Sequence, residues 1–173
     1  TELMQRTLLI YSSIDGHTEA ICKKIAQHLG KDEIDILPLS ADIELSKYKS
    51  IIIGASIRYG KYREDVFDFI ESNLELLNSK ENAFFSVNAV ARKPNKNRPE
   101  NNPYLIKFLE QTNWVPKKMA VFAGKIDYPK YKFFDKYAIK FIMFVTNGPT
   151  DTSQTYEFTD WDEVKIFSKD LNL

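Results

Sequence analysis

The sequence predicts an α/β fold in which a five-stranded parallel sheet lies between two layers of helices. Short apolar segments alternate along the 173 residues with longer segments whose apolar residues recur at helical spacing. The short segments are continuously apolar, which is typical of strands in a parallel sheet that is covered on both faces. This length suits one domain, so we expect a single domain over residues 1–173 with its ligand at the carboxyl ends of the strands.

The individual elements follow from the spacing of the apolar residues, taken in chain order. Strands are predicted at residues 7–12, 33–37, 50–54, 83–90 and 118–124. Helices are predicted at residues 17–29, 64–77 and 103–112, and a last helix follows a segment that resembles a capping box at 159–162 and ends at residue 170. Gly30 ends the first helix, and Pro103 suits the first turn of the third.

One segment does not fit this alternation. Residues 125–158 form an insertion near the last strand, and its middle is predicted to be a helix that ends before Asn147. The apolar residues that share one side of this helix are Phe134, Ala138, Phe141, Ile142 and Val145. Lys132, Lys136 and Lys140 follow one another at four-residue spacing. The sheet is complete without this helix.

Composition excludes several classes of function and location. The 24 basic and 24 acidic residues cancel, so no overall charge attracts the chain to nucleic acid. The single Cys22, interpreted as a packed core thiol, excludes an intramolecular disulfide, provides no metal cluster and fits a reducing cytoplasm. We expect no secretory signal, and no apolar run approaches the roughly 20 residues that cross a bilayer. We interpret residues 1–3, which precede Met4, as a cloning remnant.

The segment "YSSIDGHT", residues 11–18, directly follows the first apolar strand. A turn from strand to helix directs backbone N–H groups and the positive end of the helix dipole at an anion. Ser12, Ser13 and Thr18 add hydroxyl donors, and Gly16 allows a close approach of the backbone. Asp15 repels a phosphate unless its side chain points away. The loop alone is equally compatible with a phosphate that is held by neutral donors and with a capped turn that binds nothing.

Two other phosphate-binding motifs do not match. A dinucleotide fingerprint needs three glycines after the first strand, and this loop has one. The segment "GASIRYGKY", residues 54–62, follows a strand but has five residues between its glycines instead of the four of a Walker loop. Tyr62 also stands where a Walker loop needs a hydroxyl for magnesium. Nucleotide hydrolysis is therefore not indicated.

The segment "YSSIDGHT" matches the phosphate loop of flavodoxins. Together with "GASIRYGKY", "FFSVNAVARKP", "AGKIDYPKYKFFDKYAIKFIM" and "TDW", it resembles the flavodoxin-like, quinone-dependent protoporphyrinogen IX dehydrogenases of bacteria. These segments run from the first strand to the last helix. The resemblance implies a flavodoxin-like three-layer sandwich that binds FMN. One departure is that flavodoxins usually carry threonine where this chain has Ile14 and Asp15, which removes two hydroxyl donors.

The resemblance also implies which residues bind FMN. Its phosphate is expected on the loop formed by Ser12, Ser13, Ile14, Asp15, Gly16, His17 and Thr18. Its ring is expected between two loops, one with Ile57, Arg58, Tyr59 and Gly60, the other with Ser86, Val87 and Asn88. Three alternatives stay open: Tyr59 only covers the sheet edge, Asn88 only satisfies local backbone, and His17 only begins a helix. The sequence identifies no general base and no metal site.

The reaction that the resemblance implies removes six electrons and six protons from protoporphyrinogen IX and passes the electrons to menaquinone or ubiquinone. This substrate carries two propionates on an apolar tetrapyrrole. Arginine suits bidentate pairing with carboxylates, so Arg58, Arg92 and Lys93 are candidate substrate contacts on the predicted rim. The alternative is that these cations are solvated loop charges.

This reaction suggests a function for the aromatic insertion, because quinones are dissolved in the membrane. Aromatic residues and a lysine stripe over residues 128–145 are the pattern of a helix at a membrane interface. We therefore expect peripheral contact with the inner face of the cytoplasmic membrane, or contact with the porphyrin; the alternative is an ordinary packed helix. A generic FMN-dependent quinone reductase remains the rival enzyme. A flavodoxin electron carrier is the rival binding protein, although such carriers are usually strongly acidic.

Overall fold

The computed structural model describes residues 6–13, 16–30 and 33–171, and within these ranges five strands form one parallel sheet. The strands are β1 (Arg6–Ser12), β2 (Ile34–Pro38), β3 (Tyr48–Ser56), β4 (Glu81–Val87) and β5 (Lys118–Phe122). They lie in the order β2-β1-β3-β4-β5, and every neighbouring pair is parallel. The predicted α/β fold is confirmed. Residues 1–3, Ile14 and Asp15 lie outside the described ranges.

Helices cover both faces of the sheet. The helices are α1 (His17–Leu29), α2 (Glu64–Ser72), α3 (Leu74–Asn78), α4 (Pro103–Gln111), α5 (Phe133–Val145) and α6 (Trp161–Asp170), of which α5 packs within the insertion. Successive residues of β1 point to opposite faces, so Leu9 packs in a core with α1 and α6 while Leu8 and Ile10 pack in a core with α2 and α4. The result is a three-layer sandwich.

Two predicted elements are interrupted or shortened by a polar side chain, and a third, the predicted strand at 118–124, ends at Phe122. The predicted helix at 64–77 is wrong as one element, since it is interrupted at Asn73, whose side chain donates to the backbone oxygen of Phe69 at 2.8 Å. The predicted strand at 83–90 ends at Val87, because the Asn88 side chain accepts from the backbone N–H of Ala91 at 3.1 Å and begins a 3₁₀ turn. In both places a polar side chain competes locally for backbone hydrogen bonds.

The insertion is a small subassembly with both ends attached to β5. Two further strands, β6 (Lys125–Asp127) and β7 (Thr155–Glu157), pair antiparallel around a 3₁₀ turn and α5. The backbone N–H of Phe158 donates to Gly124 at 3.0 Å, and the hydroxyl of Thr159 donates to the backbone oxygen of Ala123 at 2.7 Å. These bonds return the chain to the end of β5, so the insertion leaves the sheet undisturbed.

Helix α5 has apolar residues on two sides, and the predicted side is mostly the exposed one. Phe134 is 84% exposed and Phe141 is 67% exposed, whereas Met143 is buried. Ile139 and Ile142 pack with Met143 against β6 and β7. Periodicity detects an apolar side but does not show which side is buried. Within the described ranges, no helix is long and apolar enough to cross a membrane.

Candidate functional site

The carboxyl ends of β1, β3 and β4 meet at one edge of the sheet. Ser12 pairs with Ala55, and Ala55 pairs with Ser86, so the loops that follow these strands are neighbours. This edge is where the strand order reverses, since β2 and β3 flank β1 on opposite sides. A cavity opens here. The predicted site residues that line it are His17, Thr18, Ile57, Arg58, Tyr59, Gly60, Val87 and Asn88.

Two buried hydroxyl groups without partners lie where β1 leads into α1; Thr18 lines the cavity, and Ser12 does not. The side chains of Ser12 and Thr18 are 2% and 0% exposed, and neither hydroxyl has a hydrogen-bond partner among the described residues. An unsatisfied buried hydroxyl costs about 1–3 kcal/mol. Gly16 precedes α1 at a φ of 84°, and its N–H donates to the Ser13 hydroxyl at 2.9 Å. The two unpaired donors and the helix N-terminus fit the oxygens of a phosphate monoester.

His17 connects this loop to the start of α6. Its Nε2 lies 2.6 Å from the hydroxyl of Thr159, which itself lies 2.7 Å from the backbone oxygen of Ala123. A hydroxyl has one proton, so both bonds are satisfied only if Thr159 donates to Ala123 and accepts from Nε2–H. The Trp161 ring meets the imidazole edge to face, with centroids 5.9 Å apart. This network favours a positioning role for His17.

The loop after β3 makes a tight turn at Tyr59 and Gly60. Both residues have positive φ, 54° and 79°, and Arg58 and Lys61 exchange backbone hydrogen bonds of 3.0 and 3.3 Å. This is the geometry of a two-residue hairpin turn, in which the second residue is favourably glycine. Tyrosine rarely adopts a left-handed conformation, and such residues cluster at ligand sites. The turn presents a half-exposed Tyr59 ring to the cavity.

The loop after β4 is held by its own polar side chains. Ser86 is buried, shares a 2.7 Å hydrogen bond with the Tyr62 hydroxyl and accepts from Asn88 at 2.9 Å. Asn88 also exchanges hydrogen bonds with Asn102. The backbone N–H of Ile57 donates to Val87 at 3.0 Å, which joins this loop to the turn after β3. Ser86 therefore supports the wall of the cavity, while Val87 and Asn88 form it.

The insertion closes one side of the cavity. Ile139, Ile142 and Met143, on the inner side of α5, line it. Asp135 lies 3.5 Å from the Arg58 guanidinium and accepts a hydrogen bond from the Tyr59 hydroxyl. That hydrogen bond is the main cause that raises the pKa of Tyr59. Sequence reasoning missed Asp135, although it is the one acid in "KFFDKYAIK".

The other two substrate candidates do not line the cavity. Arg92 is half-buried and donates to the backbone oxygens of Ala89 at 2.7 Å and Thr146 at 2.9 Å. These bonds attach the 3₁₀ turn after β4 to the end of α5, and burial lowers the pKa of Arg92. Lys93 is half-buried beside it. Of the three candidates, the structure brings only Arg58 to the cavity.

Comparison with known proteins places the chain among flavodoxin-like proteins. A family model described as "Flavodoxin domain" matches residues 8–153. Protoporphyrinogen IX dehydrogenase (quinone) of Escherichia coli is 38% identical over 175 residues, covering 96% of this chain and 94% of that protein. The protein of the same name from Leishmania major is 40% identical over 172 residues, covering 96% and 74%. Oxidised flavodoxin 1 of Bacillus cereus, 17% identical with a TM-score of 0.51 over 97% of each chain, supports the fold alone.

Proposed function

This chain belongs to the flavodoxin domain family and, within it, to the protoporphyrinogen IX dehydrogenases (quinone), and we propose that it oxidises protoporphyrinogen IX to protoporphyrin IX. FMN is the cofactor, and a quinone accepts the electrons. The observation that carries the cofactor assignment is the pair of buried, unpaired hydroxyls on Ser12 and Thr18 at the N-terminus of α1. No cation is needed there, because neutral donors and the helix dipole suit a phosphate monoester.

Different residues of the chain would bind the phosphate and the ring of FMN. The hydroxyls of Ser12, Ser13 and Thr18 would hold the phosphate, and the backbone N–H of Gly16 would orient the Ser13 hydroxyl. The Tyr59 turn and the segment 86–88 would hold the ring. When bound, the flavin supplies the redox chemistry of the reaction, and the protein supplies orientation and electrostatics. The inner side of α5 excludes water from one side of the cavity.

Arg58 is the cation best placed for a propionate of the substrate. Its guanidinium lines the cavity, and its Cζ lies 5.6 Å from the centroid of the Tyr131 ring. Arg92 is engaged by backbone oxygens, which supports a structural role for it instead. Lys93 does not line the cavity either and stays a candidate at the rim.

A direct experiment separates this dehydrogenase from a generic quinone reductase or an electron carrier. The purified chain is loaded with FMN, and protoporphyrinogen IX is added without oxygen. We expect flavin absorbance to fall while porphyrin fluorescence rises, and a short-chain quinone to restore the absorbance. A flavin that stays oxidised in the presence of protoporphyrinogen IX would contradict the proposed function and favour one of the rivals.

The outer side of α5 is proposed as the contact with the membrane that holds the quinone. The exposed apolar side chains on this side are Phe133, Phe134, Tyr137, Phe141, Phe144 and Val145, with exposures from 48% to 84%. Lys136 and Lys140 flank them, and the Lys140 ammonium lies 5.9 Å from the Tyr137 ring centroid. Aromatic surface beside lysines is typical of a helix at the interface of an anionic membrane.

Vesicle flotation tests this contact. The variant Phe134→Ser/Phe141→Ser removes two exposed rings from α5, and Ile106→Ser/Ile166→Ser removes two exposed apolar side chains from α4 and α6 as the matched control. We expect the wild type and the control to float with anionic vesicles and the α5 variant to stay at the bottom. Equal flotation of all three would remove the membrane role from α5.

A further inference from the structure

A second cavity, next to the candidate flavin site, is lined mainly by charged side chains. Its volume is about 460 Å³. The charged residues that line it, within the part of the chain that the structure describes, are Arg58, Lys125, Lys130, Lys132, Asp127 and Asp135. We call this cavity the cationic groove. Four cations and two carboxylates give these residues a net charge of +2.

We propose that the cationic groove binds the two carboxylates of the tetrapyrrole substrate. This inference rests on the proposed function and gives the lysines of the insertion a specific ligand, since three of the four cations belong to the insertion. Lys125 lies on β6, Lys130 in the 3₁₀ turn that follows it, and Lys132 directly before α5. A dianionic substrate matches the charge of the groove.

The base of the groove is held in place by the insertion itself. β6 pairs with β7, and the backbone N–H of Asp127 donates to the Tyr131 hydroxyl at 3.2 Å. The backbone N–H of Tyr131 donates to Tyr128, a fully buried residue, at 3.1 Å. The lysines therefore extend from an ordered turn, which lowers the cost of ordering them around a ligand.

Two cations of the groove are already paired with carboxylates of the protein. Asp127 lies 3.6 Å from Lys130, and Asp135 lies 3.5 Å from Arg58. Lys125 and Lys132 have no ion pair with a described residue. The existing pairs show that a carboxylate fits against these cations. Lys130 is 80% exposed, and ion pairs of exposed side chains are weak, so a substrate carboxylate can take the place of Asp127 or bind the remaining lysines.

The position of the groove suits a ligand with an apolar body and a charged edge. The groove and the flavin cavity share Arg58, Lys125 and Tyr131 among their lining residues. Beyond this shared boundary one wall of the flavin cavity is apolar, and Ile126, Ile139 and Met143 form it. A tetrapyrrole whose propionates lie in the groove thus extends its macrocycle toward the flavin site.

The two other anionic groups, the phosphate of FMN and anionic lipid, are expected to bind elsewhere on the molecule. The phosphate of FMN is accounted for by the hydroxyls of Ser12 and Thr18. Anionic lipid is expected at the aromatic side of α5, whereas the groove adjoins the inner side, where Asp135 contacts Arg58. The test therefore measures binding of the porphyrin, FMN and vesicles separately.

The experiment uses the FMN-loaded protein and protoporphyrin IX as the probe, with protoporphyrin IX dimethyl ester as the probe that lacks the charges. The variant is Lys130→Ala/Lys132→Ala, and the matched control is Lys165→Ala/Lys169→Ala on the exposed side of α6. Binding is followed by porphyrin fluorescence. We expect the groove variant to weaken binding of the diacid about tenfold, as for two exposed charge pairs, and to leave the ester unchanged.

Kinetics and folding complete the test. The groove variant should raise KM for protoporphyrinogen IX with little change in kcat, and its melting temperature and FMN affinity should match those of the control. Unchanged affinity for the diacid overturns the inference while leaving the dehydrogenase activity intact. A variant that loses FMN or vesicle binding but keeps the diacid also overturns it. A wild type that binds the diacid but does not oxidise protoporphyrinogen contradicts the proposed function instead.

Discussion

The two ends of the candidate site are prepared for anions by different means. At the phosphate end, the hydroxyls of Ser12 and Thr18 are neutral, buried and unpaired. At the substrate end, the partly buried Arg58 and the exposed Lys130 are charged, and each is already paired with an acid of the protein. Burial makes a hydrogen bond strong and makes its absence costly, while solvent screens exposed charges. We infer that the first end is suited to hold a cofactor tightly and the second to exchange a substrate.

Removing the phosphate-end hydroxyls should have the largest effect. In Ser12→Ala/Thr18→Val we expect FMN affinity to fall by about 3 kcal/mol, roughly two orders of magnitude, because each hydroxyl loses a bond to a charged oxygen. The FMN-free variant should melt at the same or a higher temperature, because the unsatisfied buried hydroxyls are gone. Flavin fluorescence titration and thermal unfolding measure the two effects.

Riboflavin, which lacks the phosphate, is the control ligand for this variant. Its affinity should be the same for the variant and the wild type. An equal loss of riboflavin and FMN affinity would mean that the hydroxyls support the loop and do not bind the phosphate.

A substitution of Arg92 tests whether this cation, which joins the turn after β4 to the end of α5, has a purely structural role. Arg92→Ala removes the hydrogen bonds to Ala89 and Thr146 and should lower the free energy of unfolding by about 1–3 kcal/mol. Urea denaturation measures this change, and Arg98→Ala, at an exposed position, is the control. If Arg92→Ala instead raises KM at full stability, Arg92 is a substrate contact.

Arg58 should behave in the opposite way to Arg92. We expect Arg58→Ala to raise KM for protoporphyrinogen IX about fivefold to tenfold, with Arg58→Lys intermediate, because a lone ammonium replaces a bidentate guanidinium. Steady-state porphyrin fluorescence measures the change, and Arg63→Ala is the exposed control. If KM is the same in Arg58→Ala and the wild type, Arg58 does not bind the substrate.

The smallest expected effect concerns the pH dependence of the Asp135 contact. A hydrogen bond to Asp135 raises the pKa of Tyr59 above its ordinary 10.0, so the contact stabilises the fold below pH 10 and is lost as pH rises above that value. Asp135→Asn should lower the pKa of Tyr59 and reduce this alkaline loss of stability. Tyrosinate absorbance, with Tyr59→Phe as the reference, measures the shift. An unchanged titration would show that Asp135 does not hold Tyr59 in solution.

The fold was largely predictable from sequence, and the errors in the predicted elements have local causes. The five strands and the helices on both faces follow from the apolar periodicity, whereas Asn73 and Asn88 interrupt elements that the apolar pattern continues. A polar side chain that bonds to nearby backbone is invisible to a pattern of apolar residues. The β6–β7 pair was missed because strands of three residues carry too little pattern.

The candidate site likewise has a part that the sequence predicts and a part that only the tertiary structure shows. The phosphate-end residues are neighbours in the chain, and that part of the site was proposed from one segment. The contact between Arg58 and Asp135 joins residues that are 77 positions apart, and no spacing rule connects them. Arg92 illustrates the converse, because an arginine near the rim in sequence proved to be engaged by the backbone of Thr146.

By itself, the sequence determined the parallel sheet, the hydroxyl loop after β1 and the family, because each depends on residues close together in the chain or on similarity along its length. Only the tertiary structure decided which side of α5 is buried, that Asp135 reaches Arg58, and that Lys125, Lys130 and Lys132 share a groove with it. The physical reason is that α5 is apolar on two sides. Which side packs depends on β6 and β7, and that packing sets which charges the insertion brings to the site.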